Sequence, residues 1–262
     1  MPEGHTVHRL AQQLRELAGE PLRASSPQGR FTAGAQRLDG ASLDATDAVG
    51  KHLLLHVTGG MAVHVHLGMR GKWFRYDDPG SPPLPQARLR LSTTGVAWDL
   101  VAPTVCELLD GGGVRDVTSK LGPDPLRPDA DAAAAVAAMA GDRRPVGAVL
   151  LDQAVLAGVG NVFRNEALHE LGIDPRQPAR SLGTDGLAAL WSALRRMMQR
   201  AVEDGRIITV DVPDRLSLPE SESRRVYKQE LCRDCGAPVT MGTVGGRTAY
   251  WCPVEQVLPA PD

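Results

Sequence analysis

The sequence predicts an α+β protein of two domains, strands gathered in the first half, helices in the second, and a cysteine-bearing hairpin at the end. Three observations predict it. Apolar residues alternate with polar ones over Met61, Val63, Val65 and Leu67, and again over Arg88-Leu89-Arg90-Leu91, which is the period of a half-buried strand. Beyond residue 130 the period lengthens to that of a helix, most clearly in Leu187, Leu190, Trp191, Leu194, Met197 and Met198. Between the two regimes lies Gly122-Pro123-Asp124-Pro125-Leu126-Arg127-Pro128-Asp129, which can continue neither helix nor strand and therefore marks a boundary.

Taken in order, the first element is an amphipathic helix. Val7, Leu10, Ala11, Leu14 and Leu17 share one face, and Gly19 and Pro21 end it. Strand character begins at about residue 49. After the boundary, the alanine-rich run from Ala130 is helical by propensity, and helical periods recur over residues 146–153 and 162–171. From about residue 206 the chain is irregular up to the cysteines.

The chain has 262 residues, 42% of them hydrophobic, enough for two ordinary cores. It contains no run of 18 apolar residues, and it opens on Pro2-Glu3-Gly4-His5 rather than on a basic and then apolar stretch. A cytoplasmic protein with neither membrane span nor secretory signal is the expectation. The net charge of −2 argues mildly against a nucleic-acid partner. Local charge points the other way, since arginines are paired at Arg143-Arg144, Arg195-Arg196 and Arg224-Arg225. Each pair by itself reads as a solvated face or as a phosphate clamp.

Three constellations carry chemistry. Pro2 follows Met1 directly, a pairing that permits removal of the initiator methionine and leaves a secondary amine at the terminus. An α-amino group titrates at about 7.7–8.0, and the positive end of the following helix depresses it further, so a neutral nucleophile is present near neutral pH. Such an amine can attack a sugar C1′ and form an iminium, and Glu3 can move protons on the ribose oxygen beside it. The same dipeptide also reads as an ordinary helix start. The second constellation, Ala157-Gly158-Val159-Gly160-Asn161, joins two helical segments. It is either a phosphate-binding helix start with Asn161 at the N-cap or a plain helical corner. Third, Cys232-Arg233-Asp234-Cys235 and Cys252-Pro253-Val254-Glu255 have the spacing of a tetrahedral zinc ribbon in which the fourth thiolate is missing; either the Glu255 carboxylate completes the site or the site is weakened or empty. Cys106 reads as a small buried apolar residue. His52, His56, His64 and His66 read as one polar sheet face, not a metal site, with no carboxylate accompanying them.

In this order the pieces resemble the Fpg/Nei family of DNA glycosylases, and more closely its endonuclease VIII branch. The resemblance runs from Met1-Pro2-Glu3-Gly4 through Gly50-Lys51 and Leu121-Gly122-Pro123-Asp124. It continues in Leu150-Leu151-Asp152-Gln153, Gly158-Val159-Gly160-Asn161 and Arg164-Asn165-Glu166-Ala167-Leu168, and ends in Gly246-Arg247-Thr248-Ala249-Tyr250-Trp251-Cys252-Pro253. It implies an N-terminal β-sandwich flanked by helices over residues 1–122 and a linker over 123–129. A helix–two-turn–helix domain over 130–226 and a zinc-ribbon-like finger over 227–262 follow.

Residue by residue, the resemblance implies Pro2 as iminium-forming nucleophile and Glu3 as proton donor. Lys51 becomes a phosphate contact that assists elimination, and Asn161 and Arg247 the phosphate grip, with Arg247 also assisting the second elimination. Lys120 falls where the endonuclease VIII branch has a DNA-binding arginine. Leu67-Gly68-Met69-Arg70-Gly71 takes the place of the void-filling wedge, with Met69 the apolar residue and Arg70 beside it. Cys232, Cys235, Cys252 and Glu255 are the implied ligands of a structural Zn2+, and no organic cofactor is expected. The implied activity is base excision from damaged double-stranded DNA followed by β,δ-elimination, performed by a monomer. Asp99-Leu100-Val101-Ala102-Pro103-Thr104 lacks the arginine–phenylalanine loop of Fpg enzymes, which favours oxidised pyrimidines. An abasic-site lyase that excises no base, and a damaged-DNA-binding paralogue without chemistry, are the alternatives.

Overall fold

The computed structural model describes residues 2–258, and the chain divides into two compact units between Lys120 and Leu121. In the first unit, helix α1 (Gly4–Gln13) runs into a single 3-10 turn, Leu14–Leu17, in place of one continuous helix to Gly19. Strand β1 (Arg23–Ser25), helix α2 (Thr32–Leu38) and strand β2 (Leu43–Val49) follow, so strand structure starts well before residue 49. The early strands escape a periodicity reading because β1 is three residues long and β2, with its burial interrupted by the adjacent exposed Asp44 and Ala45, alternates poorly.

Strands β3 (His52–Val57), β4 (Met61–His66), β5 (Lys72–Tyr76), β6 (Ala87–Ser92), β7 (Ala97–Val101) and β8 (Val105–Asp110) complete two antiparallel four-stranded sheets. Their orders are β1-β6-β7-β5 and β2-β3-β4-β8. Leu53, Leu55, Val63 and Val65 of one sheet and Leu89, Leu91, Trp98 and Leu100 of the other belong to a single buried cluster, joined by Val7, Leu10, Leu14 and Leu17. Alternate residues of each strand thus fill a sandwich core, and the helices flank it. Cys106 is half-buried against this core, and burial pushes its thiol up to about 12, so it is an inert thiol. Helix α3 (Gly111–Thr118) closes the unit; its three leading glycines hide it from any propensity argument, and the Asp110 side chain caps it by accepting from the Gly113 N–H.

The second unit is built on helices α4 (Ala132–Ala140), α5 (Val146–Val149), α6 (Asn161–Glu170) and α7 (Gly183–Asp204). The expected helix over residues 146–153 is a single turn; Asp152 and Gln153 serve the turns that follow, Asp152 accepting from the Ala154 N–H and Gln153 bonding the backbone of Gly158 and Val159. Residues between Leu150 and Gly160 therefore form consecutive turns between two helices. Helix α7 carries Leu187, Leu190, Leu194, Met197, Met198 and Ala201 into a core shared with Phe163, Leu168 and Val146. After an irregular stretch, strands β9 (Thr240–Val244) and β10 (Arg247–Trp251) form a hairpin. Its two-residue turn, Gly245-Gly246, has φ of 63° and 71°, a conformation that glycine adopts without strain. Among the described residues, no helix is long and apolar enough to cross a membrane.

Candidate functional site

In the first unit, Pro2 is half-buried and Glu3 is buried at 1% exposure where α1 begins. Glu3 is the N-cap by backbone position, its carbonyl accepting from the Thr6 N–H at 3.0 Å, yet its side chain does not cap the helix. Lys51, half-buried, lies in the tight turn between β2 and β3. Met69 and Arg70 occupy the turn after β4, and Met69 is 71% exposed, which is unusual for so large an apolar side chain. Gly68 in that turn has φ of 64°, and a Cβ there would meet the Thr104 hydroxyl at 1.8 Å, so the turn is braced against the β7–β8 connection. That connection is only Ala102-Pro103-Thr104, held by the Thr104 N–H to the His66 carbonyl at 2.9 Å. Lys120 is exposed just after α3.

The histidines sit on the sheet face opposite the sandwich core, as one polar face. A carboxylate does accompany them, contrary to the sequence expectation. His64, 3% exposed, places Nδ1 at 2.8 Å from Glu107 Oε1 and Nε2 at 2.8 Å from His52 Nδ1. Glu107 is the cross-strand partner of His64 in β8, a pairing invisible before the register β4–β8 is known. Burial holds His52 well below its ordinary 6.5, at about 4, and the neighbouring positive charges of His64, His66 and Lys51 act the same way. His66 is lowered too, first by burial and then by Lys51.

In the second unit the organising element is α6. Nine of its ten residues are buried, including Asn161, Arg164, Asn165, Glu166 and His169. Each of these polar side chains makes at least one specific contact. Asn161 Nδ2 donates to the Thr248 carbonyl at 3.0 Å, and Arg164 donates to the carbonyls of Thr248 at 2.8 Å, Val244 at 2.9 Å and Gly147 at 3.2 Å. Asn165 Oδ1 accepts from the Tyr250 N–H at 2.9 Å. The Glu166 carboxylate accepts the N–H groups of Arg225, Val226 and Tyr227 at 2.8, 3.0 and 2.7 Å, and the Thr209 hydroxyl as well. One helix face is therefore a template on which the hairpin and its leader are laid. It places exposed Arg247, first residue of β10, directly before Thr248, whose carbonyl Asn161 holds. The N-cap of α6 is Gly160, not Asn161. Asn161 is the first helical residue, and its side chain is spent on the hairpin backbone instead of on the helix's own N–H groups; its buried Oδ1 has no partner among the described residues.

The cysteine motifs form two matching turns. Ligand atoms of Cys232, Cys235, Cys252 and Glu255 all lie within 4.8 Å of one another, a set able to hold a metal ion. The Cys235 and Cys252 sulfurs are 3.4 Å apart, and Cys232 Sγ is 3.1 Å from Glu255 Oε2. Burial pushes the Cys232 and Cys252 thiols up, while the Cys232 thiol and then His169 hold the Glu255 carboxyl below its usual range. Gln256 anchors the second turn, accepting from the Cys252 N–H at 2.9 Å and donating to the Ile173 carbonyl at 2.7 Å. Sequence reading assigned nothing to His169, Arg164, Glu166 or Glu107. The one available signal for the first three was a run of charged and amide residues too dense for a helix at an apolar spacing.

Residues 1–103 match the formamidopyrimidine-DNA glycosylase N-terminal domain, and residues 121–212 the formamidopyrimidine-DNA glycosylase H2TH domain. The chain is 45% identical to endonuclease 8 1 of Mycobacterium tuberculosis, over 98% of its own length and 100% of the relative's. It is 34% identical to the DNA-(apurinic or apyrimidinic site) lyase Nei2 of Mycolicibacterium smegmatis, over 98% and 99%. The crystal structure of MutM (Fpg) from Thermus thermophilus superimposes with a TM-score of 0.78 at 30% identity, covering 97% of this chain and 98% of that one. Sandwich, helix–two-turn–helix and finger together define a DNA glycosylase fold. The chain belongs to the Fpg/Nei family.

Proposed function

We propose that this enzyme, a DNA glycosylase and abasic-site lyase of base excision repair, works through an iminium at the Pro2 nitrogen and takes oxidised pyrimidines. The observation that carries the reading is the start of α1: Pro2, whose nitrogen becomes a secondary amine once Met1 is removed, stands just before the positive end of a helix and is followed by Glu3, buried at 1% exposure with no side-chain cap bond. In the proposed sequence the Pro2 nitrogen attacks C1′, the base departs with the bonding electrons, and Glu3 protonates the ribose oxygen as the ring opens. Loss of the C2′ proton then expels the 3′ phosphate, and loss of the C4′ proton the 5′ phosphate. Lys51 assists elimination; Lys51, Lys120, Arg247 and Asn161, the last through the amide hydrogen not given to the Thr248 carbonyl, hold phosphates; Arg247 also assists the second elimination. Met69, with Arg70, fills the space left by the extruded nucleotide. The three-residue connection Ala102-Pro103-Thr104 has no room for further wedge residues, which supports the pyrimidine preference. Three sulfurs and a carboxylate suit Zn2+, which would hold the finger's shape and take no part in the chemistry. The enzyme acts as a monomer on damaged duplex DNA, and its affinity falls steeply with salt despite the net charge of −2.

Borohydride trapping on duplexes carrying an abasic site, thymine glycol or 8-oxoguanine tests the reading. Adducts with the first two and little with the third are expected. A form with a residue retained before Pro2, whose nitrogen is then an amide, should give no adduct and still bind DNA. Trapping by that blocked form would remove Pro2 from the mechanism, and trapping on the abasic duplex alone would leave a lyase without base excision.

A further inference from the structure

All but one of the buried polar side chains of α6 are spent on backbone or on the Thr209 hydroxyl. His169, in the last turn and 4% exposed, instead meets the metal-ligand set. Its Nε2 lies 2.7 Å from Glu255 Oε2 and 3.2 Å from Cys232 Sγ, and its Nδ1 lies 3.8 Å from Asp234 Oδ2. A ring nitrogen 2.7 Å from an ionised carboxylate must carry the hydrogen, since the carboxylate only accepts, and a metal-bound Cys232 thiolate would accept as well. The three thiolates and one carboxylate bring four negative charges to a divalent ion. The carboxylate is also the member that swings most freely, because its side chain is longer than a cysteine's and has two equivalent oxygens. A buried N–H donor shared between Glu255 and Cys232 answers both difficulties, as outer-shell partners of metal ligands do.

We propose that His169 is the positioning residue of the finger's metal site: its Nε2–H holds the Glu255 carboxylate in ligating orientation and donates toward the Cys232 sulfur. The inference rests on the reading of Cys232, Cys235, Cys252 and Glu255 as a metal site. It also gives α6 a second duty, because the same helix carries Asn161 in its first turn. Metal occupancy is thereby tied through one rigid helix to the backbone beside Arg247.

The test uses the full chain, stripped of metal and titrated with Co2+, whose absorption bands report the ligand set, with Zn2+ affinity read by chelator competition. His169→Phe fills the volume without a donor and should weaken metal binding roughly 10- to 100-fold and shift the Co2+ bands. His169→Gln, whose amide nitrogen can stand where Nε2 does, should bind within about threefold of the parent. In a Glu255→Cys background, where no carboxylate needs holding, His169→Phe should change affinity by less than about threefold. Equal losses in both backgrounds, or an unchanged affinity and spectrum for His169→Phe alone, would overturn the assignment. So would a Glu255→Ala protein that keeps the parent spectrum while His169→Phe loses it, since His169 would then itself be a ligand. Should His169→Phe not fold alone, the double variant decides: metal held as tightly as by Glu255→Cys supports the role, and loss of it refutes the role. A parent chain that binds no Co2+ is a separate outcome and removes the metal-site reading beneath the inference.

Discussion

Helices α6 and α7 pack in the same unit and share one apolar core, yet they are built on opposite principles. Helix α7 buries an apolar stripe at the spacing of one helix face and shows water its Arg195, Arg196 and Gln199 face. Helix α6 buries nearly every residue, and half of what it buries is polar. The difference teaches where this protein keeps its specificity. Apolar burial in α7 tolerates any partner of the right shape, whereas the α6 groups name particular backbone atoms in the hairpin and its leader, because a buried donor or acceptor without its partner is costly.

Glu166→Gln should break the α6 side of the comparison hardest. It keeps the shape but turns one acceptor into a donor facing N–H groups, at a cost on the order of 4 kcal/mol. Hydrogen exchange should then show residues 225–251 losing protection before α7 does. If α6, α7 and the hairpin instead lose protection together, the template picture is wrong. Leu194→Ala in α7 should cost about 3 kcal/mol through a cavity, lowering the melting temperature of the whole second unit without singling out the hairpin. Denaturant unfolding that exposed the finger first in this variant would erase the contrast.

A smaller effect extends the comparison to the buried polar face of the first unit. His52 is neutral in the fold, its value lowered from 6.5 to about 4, so the unfolded chain takes up a proton first as pH falls. Its stabilising contribution is complete above pH 6.5 and is lost between there and about pH 4. After allowance for the part of the ring that water reaches, this amounts to on the order of 1 kcal/mol. Thermal melts across that window should slope less steeply in His52→Gln; an identical slope would locate the acid sensitivity elsewhere. The smallest effect is expected at the exposed Arg196–Glu170 pair linking α7 to the end of α6. Arg196→Ala should change stability by at most about 0.5 kcal/mol, measured by denaturant midpoint. A change several times larger would mean that the pair, and not the buried groups, fastens the two helices.

The parts of the site legible in the sequence are those fixed by local covalent order. The placement of Pro2 and Glu3 at the start of a helix was readable because it needs only their position next to α1. The cysteine turns were readable because i,i+3 spacing places two candidate donor groups on one turn. Asn161 was found, but its capping role was misjudged: only the packed hairpin reveals that its amide is used on Thr248. Glu107 was missed because β4–β8 pairing joins residues 43 apart, and His169 because 86 residues separate it from Glu255.

The sequence by itself determined the two-domain α+β division, the sandwich strands of β4 and β6, helix α7, a hairpin between the cysteine turns and the helix that begins just after Pro2 and Glu3. Each of these follows from periodicity, spacing or adjacency, all properties of neighbours along the chain. Only the tertiary structure decided that β1 and β2 are strands, that glycine-led α3 is a helix, and that α6 is a polar template with a histidine beside Cys232 and Glu255. Those outcomes depend on which distant backbone atoms are brought to a buried donor or acceptor, and no local pattern carries that information.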